Sequence, residues 1–216
     1  MGGMRIIYLA GIDNSGAGHW QNHWYWKLNG LWVDHRDWAR PRAGEWLEDL
    51  NQILALDQGP KVIVAHSMGC LLLSEWAKRH EDRSIRGAFL VGVPSAESPS
   101  YPKQAVGFSS PFECRFPFPT ALVASRNDPY APSCYSRALA EHWGSLYHDV
   151  GEKGHINLQS GLGSWDGGFQ HFRAFVQSIE RFSKWDTDKS LKSGDEARPV
   201  RVNGSGKIGS GMPEQC

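Results

Sequence analysis

The chain has 216 residues, enough for one domain with a substantial core and no covalent staples. Its 23 Lys and Arg balance 23 Asp and Glu, so the formal charge is zero. That balance gives no broad electrostatic reason to hold nucleic acid or an anionic membrane surface.

In chain order, the first apolar run predicts a strand over 5–9, followed by a helix over 19–28. A short strand over 31–33 is cut off by Asp34, His35 and Arg36. A helix over 43–56, a strand over 61–65 and a helix over 68–79 come next. Strands over 87–91 and 120–124, a helix over 132–143, a strand over 145–149 and a helix over 169–182 complete the series. Short apolar runs alternating with amphipathic stretches are the pattern of a parallel sheet wrapped by helices. Right-handed crossovers then give an open, doubly wound sheet.

Two stretches break this rhythm. Residues 94–119, rich in Pro, Ser, Phe and Gly, are too long for an ordinary connection and read as a lid or a poorly ordered loop. From 185 to 216 the chain is polar and glycine-rich, with too few large apolar residues to offset ordering entropy. The expectation is one domain over 1–184 and a disordered tail over 185–216.

The opening apolar run, about six residues, is too short for a secretory signal, and no stretch approaches the roughly 20 needed to span a bilayer. Ile6 stands where a myristoylation motif requires Ser or Thr. Cys70, Cys114, Cys134 and Cys216 form no C-x-x-C pair. Neither a zinc site nor a disulfide framework is expected, and isolated thiols suit a reducing, cytoplasmic setting.

The strongest local signal is Lys61-Val-Ile-Val-Ala-His-Ser-Met-Gly-Cys. A buried strand runs into a tight turn and a helix follows at once, which lifts the Ser67 hydroxyl above the sheet. Ala65 and Gly69 are small enough for strand and helix to approach. The usual motif has glycine at both places, so Ala65 is a departure. An N-cap serine can look the same in isolation; the strand-turn-helix context favours a nucleophile. The Met68 N–H, first in its helix, is free to hold an oxyanion. The second donor is expected at Ile12, with Asp13 as the alternative.

A serine nucleophile on this architecture is followed in the chain by an acid and then a histidine. Asp128, just past the 120–124 strand, and His155, in the glycine-flanked loop after the last strand, occupy those places. His155 would take the serine proton while Asp128 fixes its tautomer. Of the remaining histidines, His66 should face away from Ser67 and His148 should point across the sheet. His80, His142 and His171 fall on helices. His19 and His23 share a helix face as metal ligands do, but Trp20 replaces the glutamate of a zinc protease and no third ligand is apparent. Pocket lining or helix capping suits them better, and no metal is expected. The glycines at 11, 16 and 18 fail the dinucleotide fingerprint, and no phosphate loop exists, so no organic cofactor is expected. Trp20, Trp24, Phe108, Phe112 and Phe116 are candidates for an apolar pocket or for core.

Gly18-His-Trp-Gln, Val64-Ala-His-Ser-Met-Gly-Cys, Phe118-Pro-Thr-Ala-Leu-Val-Ala-Ser-Arg-Asn-Asp-Pro-Tyr and Gly154-His-Ile-Asn-Leu-Gln-Ser-Gly-Leu-Gly-Ser-Trp together resemble the YdeN-like small serine hydrolases. That family includes retinoblastoma-binding protein nine. The resemblance runs over residues 5–182. It implies a compact α/β-hydrolase fold, a six-stranded sheet in the order 2-1-3-4-5-6 and no large cap domain. It also puts nucleophile, acid and base on Ser67, Asp128 and His155. The expected activity is cleavage of a small ester, thioester or amide through an acyl-enzyme. The alternative is a catalytically weak hydrolase fold acting by protein binding, with 94–119 as its docking surface.

Overall fold

The computed structural model describes residues 4–192, and only the backbone from 182 onward. Six strands form one sheet: β1 (Arg5–Leu9), β2 (Leu31–Trp32), β3 (Lys61–His66), β4 (Ile85–Val91), β5 (Thr120–Ala124) and β6 (Leu146–Asp149). Their order is β2-β1-β3-β4-β5-β6, and every neighbouring pair is parallel. Among the described residues, α1 (Trp20–Leu28), α2 (Ala43–Leu56), α3 (Met68–Ala77) and α4 (Ser133–Trp143) connect strands, and α5 (Asp166–Lys192) follows the last one. The expected α/β class, strand order and lack of a large cap all hold.

Side chains alternate across the strands, and the two faces have different chemistry. Ile7, Leu9, Ile63, Ala65, Leu90 and Leu122 face α2, α3 and α4 in a mainly aliphatic core. Tyr8, Val62, Val64, Phe89 and Val123 face α1 and α5, where Trp20, Trp24, Phe172 and Phe175 supply an aromatic layer. The central strands are apolar on both faces, so they read as continuous runs rather than alternating ones.

Departures from the sequence reading are local. β2 is only two residues long, although the Val33 N–H still donates to the Tyr8 carbonyl. α5 starts at Asp166, three residues early, despite the poor helix formers Gly167 and Gly168. The Trp165 ring lies where a Cβ on Gly168 would stand, so that turn requires glycine. α5 backbone continues to Lys192, so residues 185–192 of the expected tail are helical; 193–216 lie outside the described residues.

The 94–119 stretch is pinned to the body. Glu75 on α3 accepts from the Ser109 N–H at 2.7 Å, Arg42 bridges Val106, and the Tyr135 hydroxyl donates to the Pro94 carbonyl at 3.1 Å. Among the described residues no helix is long and apolar enough to cross a membrane.

Candidate active site

The strand order reverses between β1 and β3, and crevices at such a switch point, past the carboxyl ends of the strands, take ligands in open α/β sheets. Ser67 stands there. Its φ of 53° and ψ of −123° lie where side chains are rarely found, and α3 begins with the next residue. Two backbone bonds hold the turn: Ser67 N–H to the Val91 carbonyl and Cys70 N–H to the Ser67 carbonyl, both 2.9 Å. A Cβ on Gly69 would strike the Leu9 carbonyl oxygen and come within 2.8 Å of the Ala10 oxygen. Only glycine permits that approach. The Ala65 methyl, by contrast, is fully buried in the aliphatic core, and the departure from the motif is accommodated.

His155 Nε2 lies 2.8 Å from Ser67 Oγ, and His155 Nδ1 lies 2.9 Å from each oxygen of Asp128. Asp128 also accepts from the Tyr130 N–H at 2.9 Å. With the imidazole neutral, Nδ1–H donates to the carboxylate and Nε2 accepts from the hydroxyl. All three residues are buried but retain an exposed edge, Ser67 at 6%, Asp128 at 8% and His155 at 7%. That combination suits proton transfer to a molecule arriving from solvent.

The loop carrying the imidazole is held by side chains. Lys153 N–H donates to Ser125 Oγ at 2.8 Å, Gly154 N–H to Asn127 Oδ1 at 2.7 Å, and Ser160 Oγ–H to the Lys153 carbonyl at 2.6 Å. Trp20 Nε1–H donates to the Ile156 carbonyl at 2.7 Å. His66 adds a further tie: its Nε2–H donates to the His155 carbonyl at 3.0 Å. Burial, reinforced by His19 and His155 nearby, holds His66 well below the ordinary histidine range, so it is neutral. The sequence reading turned His66 away from Ser67 but did not find its grip on the base loop. The signal was present, in a histidine next to the nucleophile.

The remaining expectations fare differently. His19 is the N-cap of α1: its Nδ1 accepts from the Gln21 N–H at 3.1 Å. The proton therefore sits on Nε2, which is buried and has no partner among the described residues. Burial, with smaller effects from His155 and His23, pushes His19 down to about 4. His23 is exposed, and no cluster of three or more metal-ligating side chains gathers among the described residues. His148 meets the His171 ring at 4.5 Å, away from Ser67. Trp20 and Trp24 are core. Phe108 packs on Trp46, Phe112 on Tyr135 and Phe116 on Trp143, which favours core packing, the second of the two alternatives, for these half-buried rings. These rings serve burial, which sequence cannot separate from pocket lining. Cys70 and Cys114 are buried free thiols, and Cys216 lies outside the described residues.

Met68 N–H opens α3 with no intrahelical partner. Across the crevice, Asp13 N–H is engaged by the Trp38 carbonyl at 3.0 Å. Ile12 N–H makes no hydrogen bond among the described residues. Of the two alternatives, Ile12 is the free donor.

A parallel sheet in this order, with a hydrogen-bonded Ser, His and Asp past its carboxyl ends, defines an α/β-hydrolase. The family model for serine hydrolases matches residues 6–174, and the chain belongs to that family. A putative YdeN-like hydrolase from Pectobacterium atrosepticum superposes with a TM-score of 0.70 at 25% identity, over 82% of this chain and 92% of that one. The ydeN gene product of B. subtilis gives 0.69 at 18% identity, over 81% of this chain and 100% of that one. A thermophilic esterase from Thermogutta terrifontis gives 0.57 at 14% identity, over 82% and 90%. No curated protein matches. None of these three is retinoblastoma-binding protein nine, and that kinship stays an expectation.

Proposed function

We propose that this hydrolase cleaves a small ester, thioester or amide through an acyl-enzyme on Ser67. The observation that carries the reading is the continuous chain from Ser67 Oγ through His155 to Asp128, at 2.8 and 2.9 Å. Ser67 Oγ attacks the carbonyl carbon as His155 Nε2 takes its proton, and Asp128 stabilises the imidazolium. The oxyanion that forms is held by the N–H groups of Met68 and Ile12, the first assisted by the α3 dipole. Collapse expels the leaving group, which takes the proton from Nε2. Water then attacks the acyl group, giving its proton to the same nitrogen, and Ser67 is regenerated.

A fluorophosphonate probe tests this directly. Wild type should be labelled stoichiometrically, and Ser67→Ala should remain unlabelled while keeping its circular dichroism and unfolding midpoint. A folded wild type that takes no label contradicts the reading and favours a binding role for the fold.

A further inference from the structure

A cleft of about 490 Å³ opens beside the base, walled by charged and polar side chains together with Pro129, Tyr130 and Leu162. His155 is the member of the Ser-His-Asp set that lines it. The Tyr130 ring lies over the imidazole at 4.1 Å, and Glu152, Lys153 and Gln159 form much of the rim. Covering such groups with hydrocarbon strips them of water and returns no hydrogen bond.

This wall carries two charges, those of Glu152 and Lys153. Glu152 enters no ion pair among the described residues, and Arg126, the cation whose field it adds to, is already paired with Asp149 at 2.9 Å. Lys153 enters no ion pair among the described residues. Its backbone is fixed nonetheless, by Ser125 Oγ on the N–H and Ser160 Oγ on the carbonyl. An ammonium on an anchored backbone, beside a polar cleft, is suited to receiving an anion.

The group that departs in acyl transfer must reach His155 Nε2, because it leaves with that proton. We propose that this cleft receives the leaving group, and that the leaving group is a small alcohol or amine bearing a carboxylate that pairs with Lys153. The assignment rests on the serine-hydrolase reading above. The C–O or C–N bond of the substrate breaks, the Ser67 Oγ–acyl bond forms, and the freed oxygen or nitrogen takes the Nε2 proton. The carboxylate stays ionised and only guides binding. No oxidant, metal or further reactant enters.

The test compares two acetyl esters with nearly the same leaving group, 3-acetoxybenzoate and its methyl ester, each rate normalised to its hydroxide-catalysed hydrolysis. For wild type at low salt, kcat/KM should favour the anionic ester about fivefold, the scale of a single accessible ion pair. The ratio should fall to near one in Lys153→Ala, drop below one in Lys153→Glu, and shrink in wild type as salt is added. A wild-type ratio at or below one overturns the proposal, and so does a ratio that Lys153→Glu leaves unchanged. Fluorophosphonate labelling separates the two levels. Without label on Ser67 both readings fall; with label but no preference, or with neither ester turned over faster than by Ser67→Ala, only the leaving-group assignment falls.

Discussion

The elbow that carries Ser67 and the loop that carries His155 meet within 2.8 Å, yet they are held in different ways. The elbow is fixed by covalent geometry and close packing: a wholly buried strand, a strained φ, and a glycine against the backbone of β1. The histidine loop is fixed by separate polar ties from Ser125, Asn127, Ser160, Trp20 and His66. Close packing fails as a unit, because interiors are too dense to absorb even a methyl without movement. A set of hydrogen bonds, each worth about 1 kcal/mol, can lose a member and leave the fold standing. The nucleophile is therefore inseparable from the fold, while the base can be detuned on its own.

The contrast can be broken at either end. Gly69→Ala should have the largest effect, because its Cβ meets the Leu9 carbonyl rather than a movable side chain. Destabilisation of about 4 kcal/mol or more is expected, seen as loss of soluble folded protein or a collapsed urea midpoint. A well-folded Gly69→Ala enzyme would remove the elbow from the close-packed category.

Acid should act on the buried imidazoles between the two regions. His19 titrates near 4 in the folded protein and near 6.5 when unfolded. Below 6.5 the unfolded chain takes up a proton that the native state refuses. The stabilisation is thus complete above that value and is lost as pH falls toward 4. His19 alone accounts for about 3 kcal/mol between pH 7 and pH 4. His19→Asn keeps a side-chain acceptor for the cap. Urea midpoints at several pH values should fall less steeply for that variant than for wild type; parallel curves would mean that His19 does not titrate as assigned.

The mildest break is at the loop. His66→Phe keeps a buried ring but leaves the His155 carbonyl without its donor. A fall of about tenfold in kcat with little change in KM is expected, and His66→Gln, which can still donate, should recover part of it. Equal loss in kcat and KM with a lowered unfolding midpoint would point to simple packing.

Sequence carried most of the fold, because strands buried on both faces announce themselves as apolar runs; β1, β5 and α2 match their expected bounds residue for residue. The three side chains that the structure brings together, Ser67, Asp128 and His155, were legible for a related reason: each lies in the loop or turn after a strand, one, four and six residues past its end, so finding the strands narrowed the search. What was not legible depends on contacts between distant segments. Glu75 binding Ser109 pins a stretch expected to be a lid or a poorly ordered loop, and the Trp165 ring made a helix start out of two glycines. The phenylalanines of 94–119 look alike in sequence whether they face ligand or core. Lys153 carries no signal at all until the cleft beside it is seen.

The central claim is that the Ser67 hydroxyl is a nucleophile activated by His155. Rapid mixing with p-nitrophenyl acetate, followed by acid quench and peptide mass mapping, examines it most directly. A burst of one nitrophenolate per chain, matched by an acetyl group on the peptide holding Ser67 and reduced on the order of 10⁴-fold in rate by His155→Ala, is the predicted result. An acetyl group on any other residue, or an undiminished burst in His155→Ala, would contradict it.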